Sequence, residues 1–488
     1  MTQIEVIRSP VTLLPDPKRR LVRTYLPPDP TPGQPNRVQR VLRRVLNLTS
    51  EERGTTLQGV HERFDDRVPD LEIALLDAFS VVEQWIPEAG DLSKQDRQLI
   101  GSYFTHEYAV EGAALTNPSI VPHPNHEGLA DGAVRVVISL RAVGEGHISS
   151  VEFRTGEIDP SGTIHVDEPG PLIRGARETP TFDKASFRAK LDELGFNTGL
   201  QALALGGLSA EFTMEELESA LTILQSDASS VPVPHQIIHT MHWLASSNYR
   251  VEFAADSQIS QRILTPNGPA ESHGMEDARF VLFNDSDGAS TYHGTYTAFD
   301  GANILPQLIQ TKDFRKFRVA TLHGTGAVNK GIALFPRRVG GQYMALGRSD
   351  GESNYLMWSQ HVRQWNDSKR IQMPARPWEI IQLGNAGAPI ETEAGWLLIT
   401  HGVGPMRQYV LGAVLLDIDE PYQMIGHLRD PLLIPNDDER DGYVPNVTYS
   451  CGSMLHKTNL VIAYGASDTS TRFATLSLDS LLGALSSG

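Results

Sequence analysis

Apolar positions change their spacing three times along this chain. After a proline-rich start, Val38, Val41, Leu42, Val45 and Leu46 recur at helical intervals, and Leu71, Ile73, Leu75, Leu76, Ala78 and Phe79 continue the pattern. Thr49-Ser50-Glu51-Glu52, between the two runs, reads as a capping box that starts a helix. At Asn117-Pro118-Ser119-Ile120-Val121 the period shortens to that of strands, and Val134 to Leu140 and Ser149 to Phe153 are β runs. Residues 175–232 turn helical again, with a second capping box, Thr213-Met214-Glu215-Glu216, ahead of Leu217, Leu221 and Leu224. The Ser-, Asp- and Pro-rich segment 226–234 is expected to return the chain to β structure. From about 235 to 480 short apolar runs alternate with Gly, Asn and Asp turns, and few helices are expected.

The pattern divides the chain into an extended arm (1–36), a helical region (37–114), a first β unit (115–174), a helical insertion (175–232) and further β units (233–488). Five segments share one plan: a polar motif, an apolar strand, a turn, and a second strand ending in a polar group. They start at Asn117-Pro118, Glu276-Asp277, Asn329-Lys330, Gly384-Asn385 and Pro445-Asn446. The last four polar starts, at 277, 330, 385 and 446, recur every 53 to 61 residues. A multi-strand unit repeating at about 40–60 residues suggests β-propeller blades. Five units imply an all-β core built as a five-bladed propeller, carrying an N-terminal helical region and a helical insertion. A β-sandwich with regular turns is the plainer alternative.

Composition narrows the partners. The 488 residues carry a formal charge of −17, so nucleic acid is not an expected partner. One cysteine, Cys451, excludes an internal disulfide and a Cys/His metal framework; it is expected in the core, and no metal is expected. The first 26 residues lack the apolar stretch of a signal peptide, and no run approaches a membrane helix, so a cytoplasmic location and no membrane partner are expected. The basic cluster Arg37, Arg40, Arg43 and Arg44 reads as a solvated helix face, with a homo-oligomer contact as the alternative.

In a propeller the polar ends of the inner strands meet at one mouth. That mouth would gather Asn117, Arg141, Asp277, Lys330, Arg348, Gln382, Asn385, His401, Tyr409, Asn446 and Asp468. Carboxylates, amides and nearby aromatic rings suit a sugar, and the cations suit an anion as well. Two mechanisms fit. An inverting glycosidase needs two carboxylates with water between them. A phosphorylase needs one acid, because phosphate is the nucleophile. Glu276-Asp277 could also be a plain surface turn.

Gly274-Met275-Glu276-Asp277-Ala278-Arg279 resembles the Gly-x-Glu-Asp-Pro-Arg signature of glycoside hydrolase family 130. So do Asn329-Lys330 with Leu334-Phe335-Pro336, Gly384 to Ile390 with Gly395-Trp396-Leu397-Leu398, Leu411 to Asp417, Val444-Pro445-Asn446, and Tyr464 to Thr469. The resemblance implies a five-bladed propeller acting on β-mannosides, by inverting phosphorolysis to α-mannose 1-phosphate or, in some members, by β-1,2-mannosidase hydrolysis. It makes Asp277 the proton donor, acting indirectly through a sugar hydroxyl. It makes Lys330, Arg348, His401 and Tyr409 the phosphate side, and Asn117, Arg141 and Asp468 ligands of the mannose. Glu276 is expected to orient sugar or to pair with Arg279; Gln382, Asn385 and Asn446 complete the substrate-binding set. No cofactor is implied beyond phosphate as co-substrate, with a manno-oligosaccharide as the other. Ala278 replaces the usual proline, and Gln382 stands where phosphorylases commonly carry a phosphate-binding lysine. Hydrolysis, with Glu379 as candidate base, is therefore the alternative function; a non-catalytic carbohydrate-binding propeller is the second.

Overall fold

A computed structural model describes residues 4–28, 36–68, 70–87, 89–178, 181–196, 204–226, 235–266 and 268–486. The chain separates into two compact units, residues 17–110 and residues 1–16 with 111–488.

The smaller unit is helical. Its helices are Arg37–Leu46, Ser50–Phe64, Leu71–Val82 and Lys94–Ser102, with a two-stranded sheet of Arg20–Thr24 and Thr105–Ala109. The Thr49 box forms: Glu52 N–H donates to the Thr49 hydroxyl, and the Glu52 carboxylate accepts from Thr49 N–H. That satisfies donors a helix start otherwise leaves orphaned. Leu42, Leu75, Phe79, Leu99 and Phe104 form the core beneath.

The larger unit is mostly β structure; its described residues form five antiparallel meanders, four of four strands and one, the fourth, of five. The first runs Ala114–Pro122, Val134–Val143, Ser149–Ile158 and Ile164–Val166. The second runs Gly274–Asn284, Ser290–Phe299, Ile304–Thr311 and Lys316–Thr321. The third spans Ala333 to Gln372 and the fourth Gln382 to His427. The fifth takes Thr448–His456, Asn459–Ala466 and Ser470–Ser477, and its outer strand is Ile7–Leu13 from the other end of the chain. The proline-rich start is therefore a ladder strand in its first part. Its prolines are compatible with an edge position, where a missing N–H costs no pairing.

Two helical segments after residue 232 run against the strand pattern. The chain continues as helix His235–Ser246 before the strand Tyr249–Glu252. Ile237, Met241, Leu244 and Ala245 explain it: they are buried at helical spacing. With Phe187, Leu191, Phe212, Leu217 and Leu221 they form the insertion's own core. Residues 227–234 lie outside the described residues. The second helix, Leu478–Ser486, buries Leu481 and Leu485 fully. Among the described residues, no helix is long and apolar enough to cross a membrane.

A parallel bridge from Gly274 to Ser149 joins the ladders of the first two meanders. Gly274 sits at φ 128°, and a Cβ there would lie 2.4 Å from Ser149 Oγ and 2.7 Å from Ser149 N. Neither the conformation nor the space admits a side chain. Gly274→Ala is therefore expected to cost about 1–3 kcal/mol in urea unfolding. Gly288→Ala, at a positive φ with nothing near its Cβ position, isolates the backbone part of that cost. Equal losses for both would show that the contact with Ser149 contributes nothing.

Candidate active site

The backbone aims the site before any side chain does. Strand Gly274–Asn284 shifts register against its neighbour between Glu276 and Arg279, and Asp277 has φ 55°. Strand Ala114–Pro122 shifts between Thr116 and Ser119, and Asn117 has φ 50°. Asn329, Asn446 and Asp468 also have positive φ, at 66°, 61° and 52°. A bulge turns a side chain out of the ladder, and Asn and Asp tolerate the left-handed region better than other L-residues. The polar residue at four of the five repeat starts thus doubles as the residue that permits the turn.

These turns bring Asp277 and Asn117 together. Asn117 Nδ2 donates to Asp277 Oδ1 at 2.6 Å, and Arg141 NH1 lies 3.7 Å from the same oxygen. Arg279 donates to the Asp277 backbone carbonyl at 2.8 Å and to the Tyr449 hydroxyl at 2.7 Å. Glu276 bridges two cations, with Arg141 NH2 and Lys330 Nζ each at 2.7 Å. The Glu276–Arg279 pair is thus replaced: three residues apart across a bulge, each side chain takes a partner from another strand.

On the other side Arg348 NH1 donates to His401 Nε2 at 3.4 Å, and His401 Nδ1 donates to the Asn385 carbonyl at 3.1 Å. A carbonyl only accepts, so the proton sits on Nδ1 and Nε2 is the acceptor. Gln382 Nε2 reaches the Tyr409 hydroxyl at 3.4 Å. Asn385 lies beneath, 1 % exposed, and donates to the Gly331 carbonyl at 2.5 Å. It shapes the wall more than it faces a ligand.

One depression of about 400 Å³ is lined by Asn117, Arg141, Asp277, Lys330, Arg348, Gln382, His401, Tyr409 and Asp468, together with Asn329, Arg407 and Tyr449. Asn446 does not line it; its side chain accepts from Arg440 at 3.1 Å. Glu379 is fully buried and held by Arg376 and the backbone N–H groups of Ala375 and Arg376, so it is no candidate base. Sequence reasoning missed Arg279 and Tyr449 as site residues. Arg279 was legible as the basic member of the same short motif as Glu276-Asp277; Tyr449 carries no signal beyond its nearness to Asn446.

Electrostatics separates the two aspartates. Burial would raise the Asp277 carboxyl, but Arg141 first, then Arg279, the Asn117 amide and Lys330, outweigh it and hold it below the usual range. Asp468 goes the other way: burial raises it, Arg141 opposes, and Asp277 and Glu276 add to the rise. Burial, with Arg348 and Arg279 nearby, keeps His401 neutral. Burial also lifts the Cys451 thiol to about 12, so it is an inert packing group.

A family model described as beta-1,4-mannooligosaccharide phosphorylase matches residues 245–487. The 1,2-beta-oligomannan phosphorylase of Thermoanaerobacter sp. (strain X514) is 36 % identical over 229 residues, 45 % of this chain and 74 % of that protein. The chain belongs to glycoside hydrolase family 130. It is a glycoside phosphorylase or glycoside hydrolase of that family. A beta-1,2-mannobiose phosphorylase of Listeria innocua is 31 % identical over 231 residues, 45 % of this chain and 62 % of that protein. The solved structure of a Listeria innocua beta-1,2-mannobiose phosphorylase with beta-1,2-mannobiose aligns over 78 % of this chain and 94 % of that one, at 20 % identity and a TM-score of 0.46. The family 130 match begins after the helical unit, the first meander with Asn117 and Arg141, and the insertion at 175–232.

At this strand entrance Arg279 is the buried cation that fixes the Asp277 backbone. Arg279→Met would leave the Tyr449 hydroxyl and the Asp277 carbonyl without their donor. The expected cost is about 3 kcal/mol in denaturant unfolding. Arg407→Met, at the exposed rim, is expected to stay within about 0.5 kcal/mol of the parent. Similar losses for both would mean the buried bonds are not what holds the strand entrance.

Proposed function

We propose that this chain phosphorolyses β-mannosides, manno-oligosaccharides with β-1,2 linkages among them, with inversion to α-mannose 1-phosphate. The reading takes the five meanders as the blades of one propeller, with the depression at its mouth. The observation that carries phosphorolysis is Arg348. It lines the depression, has no carboxylate partner among the described residues, and its buried Nε makes no hydrogen bond. A guanidinium so placed favours a bound oxyanion. The similarity to curated mannoside phosphorylases points the same way.

In this mechanism Arg348 and Lys330 hold phosphate, with the Tyr409 hydroxyl and the Gln382 amide as neutral donors. His401 is not a third cation. Its Nε2 accepts from Arg348 and so orients that guanidinium. Asn117, Arg141 and Asp468 hold the mannose. A phosphate oxygen attacks the anomeric carbon opposite the leaving group, the glycosidic C–O bond breaks, and the proton from Asp277 reaches the leaving oxygen through a sugar hydroxyl. Asp277 is ionised in the free site, so it must gain its proton as phosphate arrives. The incoming negative charge offsets Lys330 and Arg348 and makes the neutral carboxyl less costly. We place the enzyme in the cytoplasm, where phosphate and the sugar phosphate are both at hand.

Hydrolysis is the second reading, favoured by the neutral Gln382 and by two cavity carboxyls whose environments push them apart. Incubation with β-1,2-mannobiose, with and without phosphate, separates the two. Strict phosphate dependence and α-mannose 1-phosphate are expected, with Asp277→Asn inactive but folded. Equal mannose release without phosphate would make the enzyme a mannosidase.

The acid role also sets a pH dependence. An acid is active while protonated, so activity falls as pH rises through its pKa. That pKa is depressed in the free enzyme and rises once phosphate is bound. The falling limb of kcat, which reports the substrate complex, is expected at higher pH than that of kcat/KM, which reports the free enzyme. Coincident limbs would show that phosphate does not act on the Asp277 carboxyl.

A further inference from the structure

A second basic pocket lies away from the active site, where the insertion helix Lys184–Glu193 meets the outer strand Lys316–Thr321 of the second meander. Its charged lining is Lys190, Arg318 and Arg363 against one carboxylate, Asp183, with His323 held neutral by burial beside them. Asp183 is already occupied, accepting from Ser186 N–H at 2.7 Å. Lys190 is paired with Glu193 at 3.1 Å. Arg318 and Arg363 make no side-chain hydrogen bond or ion pair to a described residue. Arg318 also sits directly across the ladder from Arg250, an arrangement of like charges that weakens a sheet.

His323 supplies an independent observation. It is 6 % exposed, it lines the pocket, and its Nδ1 has no hydrogen-bond partner. Glu193 Oε1, at 4.0 Å, is beyond hydrogen-bond reach and accepts instead from Gly324 N–H at 2.5 Å. A buried ring nitrogen left unpaired costs stability unless a ligand completes it, and two guanidinium groups without a carboxylate partner among the described residues stand beside it. The free space is about 40 Å³, a few water volumes by the same measure. That suits a tetrahedral oxyanion and excludes a sugar ring.

We propose that this pocket is a second phosphate-binding site, holding a phosphate oxyanion between Arg318, Arg363 and His323, with the Ser186 and Thr181 hydroxyls as further donors. The oxyanion is free phosphate or the phosphoryl end of a sugar phosphate whose ring stays outside, past the exposed Arg318. The pocket borders the start of the segment that carries Asn329-Lys330. His323 N–H donates to the Arg363 carbonyl at 2.9 Å and Trp365 N–H to the His323 carbonyl at 2.7 Å. Occupancy therefore ties the insertion, the third meander and that segment together.

Isothermal titration of inorganic phosphate into the full chain tests this. Two sites are expected in the parent, and Arg318→Gln/Arg363→Gln should remove one, lowering its affinity by about tenfold or more. Lys330→Gln/Arg348→Gln should keep the pocket's site, so its result is independent of whether the enzyme is a phosphorylase. If hexose 1-phosphate competes at the retained site, the sugar phosphate is a ligand; if only inorganic phosphate binds, the free ion is. Phosphate binding unchanged in Arg318→Gln/Arg363→Gln, with an unaltered melting curve, would overturn the proposal. So would the absence of any phosphate binding in folded Lys330→Gln/Arg348→Gln.

Discussion

Two adjacent carboxylates at the entrance of a buried strand cannot stay there alone. Glu276 and Asp277 remain ionisable neighbours because cations from other strands reach between them. Arg141 comes from the first meander and touches both, Lys330 comes from the approach to the third and takes Glu276, and Arg279 clamps the Asp277 backbone from within the same strand. Removing one partner from such a buried network costs more than the network as a whole stabilises. The arrangement therefore contributes position more than stability. It fixes where three sheets meet and which way two carboxylates point.

The left-handed turns at Asn117, Asp277, Asn329 and Asn446 belong to the same constraint. Each spends conformational energy that ordinary strands avoid. At Asn117 and Asp277 the outcome is a 2.6 Å hydrogen bond between two residues 160 positions apart. Strain and chemistry are thus located at the same atoms, and the ladder on either side holds the strain in place.

Much of this was legible in the sequence because two signals coincide: a polar start recurring at blade-like spacing, and Asn or Asp at that start. Lys330, Arg348, His401, Tyr409 and Asp468 were placed by that repeat, and all line the same depression as Asp277. Asn446 follows the same rule yet turns toward Arg440, since the repeat dictates backbone and not rotamer. Helix His235–Ser246 was not read because the preceding Pro- and Ser-rich segment looked like an entry to strands. The spacing of Ile237, Met241, Leu244 and Ala245 was the better guide. Partner choice was the least legible: nothing local tells Glu276 to prefer Lys330 over Arg279, because that depends on which strands the fold sets side by side.

Charge balance bears on the missing lysine at Gln382. Arg141, Lys330 and Arg348 line the inner wall with Asp277 and Asp468, Arg279 and Glu276 stand directly behind that wall, and Arg407 is out at the solvent-exposed rim, so four cations face three carboxyl groups. A phosphate dianion would leave that wall with one excess negative charge. Uptake of one proton by a carboxyl restores neutrality, and on the proposed mechanism Asp277 needs that proton to act as an acid. A lysine at 382 would neutralise phosphate directly and weaken the pull that protonates Asp277. On this reasoning the neutral amide does not oppose phosphorolysis. In the proposed mechanism it would transfer part of the task of balancing phosphate from a fixed cation to the proton taken up by Asp277.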